Sequence, residues 1–403
     1  MSSLLVILSY VGFVSLGLPD GLLGVATPSI RATFALAPED LGGLLLSFTV
    51  GYLASSFNSG WLVARLGVGA LLALSCLFTA ASLLGYALAT AWWMMLGCAV
   101  VSGLGAGAID AALNSWAATH LSARTVSWLH ACYGVGAANG PLVMTAVLAA
   151  GRPWRSGYAI VGLGQLVLAA CFALTRRRWQ PAPVAAAAFA AAPLGEGALP
   201  APPAQPAPVA ETLRLPAVWL GSAVFFVYTG TEATAGIWSY SVLTQARGVP
   251  AATAGAWVTS FWAGLTLGRF AFGFVSGRGR MVTLLRASMI AIALGAALFA
   301  LDLGDAASVL GLATCGVAMA PIFPALIAMT PGRLGAQHTA NAVGFQVAAA
   351  ILGAALLPAL VGVLAGIAGL EAVGPAVLLA ALVLIALHEI LQRTPRPSAQ
   401  PIG

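Results

Sequence analysis

The sequence predicts an all-α integral membrane protein, with twelve transmembrane helices arranged as two pseudo-symmetric six-helix bundles. Three observations carry that prediction. Of 403 residues, 60% are hydrophobic and only 7% charged, with a mean hydropathy of +0.97. A soluble domain carries roughly 25% charged residues, so this chain lacks the polar surface needed to face water. The apolar residues also fall into twelve runs of about the 20 residues that a spanning helix needs. Finally, the last six runs repeat the first six at a constant offset of 212 residues. Asp20 matches Glu232, Gly24 matches Gly236, Pro38 matches Pro250, Gly43 matches Gly255 and Gly67 matches Gly279. Glycine and proline are frequent in this chain, so those coincidences are weak singly. The matched acids weigh more, because acids inside spans are rare.

In order, the first bundle comprises spans 3–29, 40–63, 68–89, 91–118, 126–150 and 156–175. The first is a span rather than a cleaved leader: no basic segment precedes it, and its apolar stretch continues past Gly17 without a cleavage site. Arg65 and Gly67 lie between the second and the third. Arg124 precedes the fifth, while Arg152 and Arg155 divide the fifth from the sixth. Residues 176–215 open with Arg176, Arg177 and Arg178 and continue as Ala/Pro-rich sequence that cannot bury a core, which predicts a flexible linker. The second bundle, 216–393, comprises spans 216–240, 252–275, 281–301, 306–330, 338–363 and 370–391, followed by a tail at 394–403.

Arginine supplies the whole basic excess of +6, since the chain has no lysine. These arginines are scattered at the ends of apolar runs instead of clustering on one face, which argues against a nucleic-acid partner. Arg65, Arg124, Arg176, Arg177, Arg178, Arg214, Arg269, Arg278, Arg280, Arg286, Arg333, Arg393 and Arg396 fall on the side of the termini. Arg31, Arg152, Arg155 and Arg247 fall on the other. The imbalance predicts cytoplasmic termini and linker in a cell (inner) membrane. Cys76, Cys98, Cys132, Cys171 and Cys315 all lie in apolar segments without a CxxC pair, and read as small buried hydrophobes. GxSxG, HExxH and Walker sequences are absent, so no enzyme, cofactor or metal is expected. The expected partners are a small solute, protons and the lipid bilayer, with the chain a monomer.

Three acids lie deep in the spans: Asp20, Asp110 and Glu232. A charged acid at a helix centre costs roughly 2.5–3.5 kcal/mol on insertion scales. With no arginine expected at comparable depth, an apolar setting favours the protonated form, as a proton-coupled carrier requires. Asp20 sits among Gly17, Pro19, Gly21 and Gly24, a pattern that suggests an irregular turn lining a cavity. Its bland reading is a cap on a broken helix. Asp110 and Asn114, four apart, share a helix face and can together accept and donate hydrogen bonds to a hydroxylated solute. Their bland reading is interhelical glue. Glu232 has Trp238 two turns along; Trp238 or Tyr133 offers an aromatic face, although a Trp near a span end is commonly an interface anchor. His130 can relay protons or serve structurally, and Asn341 and Gln346 are candidate solute donors.

The segment Gly60-Trp-Leu-Val-Ala64-Arg65-Leu-Gly67, with its second copy Gly273-Phe-Val-Ser-Gly277-Arg278, resembles the signature loop of the major facilitator superfamily. Ala64 and Gly277 stand where that family has an aspartate. In the family this acid latches the cytoplasmic ends of the two halves, so that latch is altered here. Within the superfamily, Gly103-Leu-Gly105-Ala-Gly107-Ala-Ile-Asp110-Ala-Ala-Leu-Asn114, Trp128-Leu-His130-Ala-Cys-Tyr133-Gly134, Pro321-Ile-Phe-Pro324 and Gly344-Phe-Gln346 are similar to the fucose–proton symporter branch and its uncharacterised bacterial relatives. That resemblance implies roles for Asp110 in sugar binding and proton coupling. The expected function is proton-coupled symport of a small polar, sugar-like solute by alternating access. A proton-driven efflux antiporter is the alternative, since Gly136-Ala-Ala-Asn-Gly140-Pro141 partly resembles the antiporter GxxxGP element. A non-transporting solute sensor on the same fold is a third reading.

Overall fold

The computed structural model describes residues 3–121, 123–179, 207–275 and 281–395. The middle of the expected linker, the tail from residue 396 and Arg278 lie outside the described residues, as do a few side chains, those of Ala64 and His130 among them. All the described secondary structure is helical. The first half contains α1 (Ser3–Phe34), α2 (Leu41–Phe57), α3 (Ser59–Leu66), α4 (Val68–Leu88), α5 (Trp92–His120), α6 (Ala123–Ala149) and α7 (Trp154–Thr175). After the short α8 (Val209–Leu213), the second half contains α9 (Pro216–Ser241), α10 (Ala251–Val275), α11 (Met281–Ala300), α12 (Asp305–Met319), α13 (Ile322–Leu334), α14 (Ala336–Ala368) and α15 (Val373–Arg393).

Twelve crossings result, because α2 with α3 and α12 with α13 each make one broken span. The second break has a plain cause. Pro321 has no N–H to donate and its ring crowds the preceding turn, which weakens the α-helix there, and the helix breaks at that point. At the turn between α3 and α4, Gly67 adopts a φ of +76°, and at the turn between α13 and α14 Gly335 adopts +82°. Side chains other than glycine rarely adopt that conformation. Two other expectations need correction: the first span continues to Phe34, and the eleventh reaches Ala368. Nine described helical stretches are long and apolar enough to cross a membrane. The crossings outside that set are α2, which has 17 residues, and α9 and α10, which are long enough but more polar. Those two carry Glu232 and Arg269.

Lipid supplies no hydrophobic drive between helices, so close approach of small residues holds such a bundle together. Gly17 and Gly21 of α1 pack on the backbone of α6, where Gly136 and Gly140 return the contact; Gly51 and Gly103 do the same between α2 and α5. In this structure, therefore, the GxxxGP-like element serves as a packing surface against α1. Large apolar side chains such as Leu88, Leu174, Leu267 and Ile367 point outward.

The halves meet along α1 with α9, α2 with α14 and α6 with α10. Several of these contacts lie toward the side away from the termini. Gly42 faces Ala359, Pro38 faces Gly362, Glu39 faces Gly366 and Gly255 faces Thr145. Both ends of the expected linker are structured. Trp179 is buried against Trp116 and Phe172, with ring centroids 4.7 and 5.6 Å away. At the far end, Asn341 donates to the Ala207 carbonyl at 2.9 Å and to Thr212 Oγ1 at 3.2 Å, and His338 Nδ1 lies 3.0 Å from the same hydroxyl.

Candidate functional site

Asp20 and Glu232 lie on α1 and α9, which pack together where the two halves meet, while Asp110 lies on α5 within the first half; each of the three acids is held by a tyrosine. Asp20, on the 18th residue of α1, accepts a 2.5 Å hydrogen bond at Oδ2 from Tyr133 of α6. Helix α1 stays continuous through Pro19, so the expected irregular turn at Asp20 is absent. The glycines that suggested it instead let α6 approach. Glu232 accepts a 2.5 Å bond at Oε2 from Tyr228, one turn earlier on α9; the Tyr228 hydroxyl also lies 3.0 Å from the Met319 carbonyl, beside the break between α12 and α13. Asp110 accepts at both oxygens, from Tyr52 of α2 at 2.5 Å and from Asn114 at 2.9 Å.

These groups form one electrostatic set. The charge of Glu232 reaches Asp20, that of Asp20 reaches Tyr52, and Tyr133 lies within range of both Glu232 and Arg269. Like charges so placed cannot all ionise without cost.

Arg269 overturns one expectation drawn from the sequence. It was counted among the arginines of the terminus-side loops, and no arginine was expected level with the acids. The helix of α10 runs to Val275, which places Arg269 about 9 Å inside its end at 1.5 Å per residue. Its Nη2 lies 3.4 Å from Glu232 Oε1 and 3.5 Å from Oε2. This is attraction at a distance beyond the 2.7–2.9 Å of a tight charge-assisted bond. Elsewhere in the chain such bonds are tight: Arg286 meets Glu389 at 2.6 and 2.7 Å, and Arg247 meets Glu371 at 3.0 and 2.8 Å.

Other nominated residues lie elsewhere. Trp238 is fully buried and donates its Nε1–H to the Pro358 carbonyl at 3.0 Å, so it packs α9 on α14 and presents no free face. Gln346 is buried between Thr330, whose hydroxyl lies 3.1 Å from its Oε1, and Gly221. Asn341 holds the linker end. Asn114 and Tyr133 remain with the acids. His130 lies on α6, its side chain outside the described residues. Gly60 and Arg65 lie on α3, with the Arg65 guanidinium 4.5 Å from the Trp61 ring centroid; Gly67 makes the adjoining turn and Gly273 lies in α10.

Sequence reasoning missed Tyr52, Tyr228 and Arg269. Only Tyr228 carried a readable signal, its spacing of four from Glu232 on one helix face. The other two depend on which helix packs beside which.

A helical bundle of this layout, with titratable groups at the meeting of its halves, defines the class of membrane transporters. The chain matches the Major Facilitator Superfamily over residues 9–227, more than half its length, and belongs to that family. The yeast (Saccharomyces cerevisiae) Bypass of stop codon protein 6 is 31% identical over 171 residues, 40% of this chain and 34% of that protein, so the match spans about a third of the relative. Among solved structures, a bacterial homolog of the human lysosomal transporter Spinster, inward-facing and unoccupied, aligns with a TM-score of 0.74 at 14% identity over 99% of both chains. The nucleoside transporter NupG gives 0.72 at 16%, covering 95% of this chain and 98% of that one. The E. coli fucose:proton symporter gives 0.63 at 17%, covering 96% and 98%. At such identities the likeness shows the fold. The chain is a multi-pass membrane protein of this superfamily.

Proposed function

We propose that the protein takes up a small hydroxylated solute together with protons by alternating access, as a monomer in the inner membrane with its termini in the cytoplasm. One observation carries the reading: two acids from repeat-related helices, Asp20 and Glu232, lie on α1 and α9, which pack together where the halves meet, each on a short tyrosine hydrogen bond. Intramembrane acids that face a bundle interior mark solute pathways and proton relays. The Asp110 and Asn114 pair adds an acceptor and donor set suited to hydroxyl groups, and the likeness to a fucose:proton symporter among other carriers is compatible with it.

In this conformation the halves touch away from the termini, as Gly42 with Ala359 and Pro38 with Gly362. Alternating access breaks these contacts in the opposite state, around a site near midplane. The test is reconstitution in proteoliposomes and a screen of sugars and polyols under an imposed pH gradient. Coupled uptake should respond to the gradient and lose that response in Asp20→Asn. Flux that ignores both the gradient and the Asp20→Asn and Asp110→Asn substitutions sinks the coupling; ligand binding without any flux supports the sensor reading instead.

A further inference from the structure

One face of α10 presents groups toward the acids that the uptake reading leaves unused. Trp262, Thr266 and Arg269 lie at spacings of four and three, so they share that face. Gly236 of α9, one turn beyond Glu232, abuts the Trp262 ring, and Gly134 of α6, beside Tyr133, abuts Thr266. The face is therefore aimed at α9, which carries Glu232, and at α6, whose Tyr133 donates to Asp20. Trp262 is 5% exposed, and its indole N–H has no hydrogen-bond partner. A buried donor without an acceptor costs about 1–3 kcal/mol, a cost that a bound acceptor removes. Thr266 donates to the Trp262 carbonyl and so leaves the indole unassisted. At the other end of the face Arg269 lies 3.4–3.5 Å from Glu232 and also engages the Tyr228 hydroxyl, which makes its short bond to Glu232.

We propose that Arg269 is a solute-binding residue whose counter-ion alternates between Glu232 and a carboxylate on the solute, so that the carried molecule is a small hydroxylated monocarboxylate. This rests on the symport reading above and narrows its substrate. When Glu232 is ionised, it neutralises Arg269 and the site has no net call for an anion. When a proton from the aqueous side adds to Glu232 Oε1, the oxygen that Tyr228 does not engage, the attraction to Arg269 is lost. The solute carboxylate then takes the guanidinium fork, which matches a carboxylate in two parallel bonds. On the opposite side the proton leaves, Glu232 reclaims Arg269, and the acid is released. Trp262 N–H, about 10 Å from Arg269 along the axis, donates to a hydroxyl at the far end of the solute. The charged and titratable groups around Glu232 are Tyr228 on α9, Arg269 on α10, Tyr133 on α6 and Asp20 on α1. Of these, Arg269 alone is a cation.

The experiment compares radiolabelled gluconate and glucuronate with glucose and sorbitol in proteoliposomes of the full chain, under a pH gradient and in counterflow without one. Expected is gradient-driven entry of one of the acids, with neither neutral compound entering or competing. Arg269→Gln should lower kcat/KM for that acid by roughly 100-fold or more, and Arg269→Lys by less, since it keeps the charge without the fork. Glu232→Gln should retain counterflow of the acid with its pH dependence abolished, which a merely structural ion pair would not do. Trp262→Phe should raise KM while leaving the gradient response intact. If glucose or sorbitol enters under the gradient and the acids do not, the symport reading stands and this inference fails. If nothing enters and Asp20→Asn changes nothing, both fail. Should Arg269→Gln not purify as a monodisperse protein, the Glu232→Gln counterflow decides: pH-dependent exchange, or none, overturns the proposal.

Discussion

Placing a leucine at Gly42 tests whether the observed contacts belong to one state of a cycle or to the permanent core. A Cβ on Gly42 would lie 2.8 Å from the Cβ of Ala359, on α14 of the other half. Carbon atoms in contact settle at about 3.5–4.0 Å, so even a methyl group forces the helices apart by about 1 Å, and an isobutyl group further. Overpacking of this kind costs about 1–3 kcal/mol. Within a half that cost would fall on folding. Between halves it falls only on the state closed away from the termini, and it shifts the balance between states by roughly 5- to 150-fold. The reporter is Thr145→Cys, placed where α6 meets Gly255 of α10, in a background without the five native cysteines. Its labelling by an impermeant maleimide, applied from the side away from the termini, should quicken roughly tenfold or more in Gly42→Leu. Gly97→Leu, which meets nothing within 4 Å, should leave the rate unchanged. Labelling unchanged in Gly42→Leu, with a monodisperse protein, would refute the assignment of this contact to a gate.

Other substitutions separate the roles of neighbouring residues. Asn341→Ala removes two hydrogen bonds to the end of the linker; it should speed limited proteolysis near residues 207–215 while leaving solute KM unchanged. A large rise in KM would restore Asn341 to the solute site. Arg247→Ala strips a guanidinium, 4% exposed, of Glu371, Asp302, Ser308 and the Phe299 carbonyl. Because both acids are about half exposed, the loss should be about 1–3 kcal/mol, seen as a lower melting temperature in detergent with coupling intact. Tyr133→Phe leaves Asp20 without its hydroxyl donor and should cut gradient-driven uptake roughly tenfold, whereas Trp238→Phe, which loses only its bond to Pro358, should alter stability more than KM.

Much of this was legible in the sequence because hydropathy and repeat are local properties. Twelve spans, the offset of 212 and the three deep acids need no knowledge of which helix neighbours which. The errors came where tertiary placement decides. Arg269 resembles the loop arginines by sequence distance, since Arg278 follows closely, yet α10 continues past it and brings it within 3.4 Å of Glu232. Trp238 and Gln346 looked like site groups by residue type. The Trp238 indole donates to the Pro358 carbonyl and the Gln346 carbonyl oxygen accepts from Thr330, partners far along the chain or on a separate helix that no periodicity announces. At Asp20 the expected irregular turn is absent: the glycines around it serve the approach of α6 and leave the helix unbroken.

The duplication itself sharpens the argument about function. At the offset of 212, Asp20 and Glu232 are mates, and so are Gly24 and Gly236, which touch where α1 crosses α9. The groups that hold the acids are not mates. Tyr133 corresponds to Phe345, Arg269 to Phe57 and Tyr228 to Leu16. A symmetric frame thus carries an asymmetric charge set, in which one acid has a neutral donor and the other has a donor and a cation. Two titratable groups whose surroundings differ in this way take different roles. In the proposed cycle Glu232 exchanges its proton against the grip on Arg269, while among the described side chains no cation of the first half is paired with Asp20. Moving the cation tests that division. In Phe57→Arg with Arg269→Phe the guanidinium is placed at the mate position on α2, so acid uptake should fail even though the composition of the chain is unchanged. Retained uptake in that exchange would mean that the position of the charge is immaterial, and the division of labour between the two acids would fall with it.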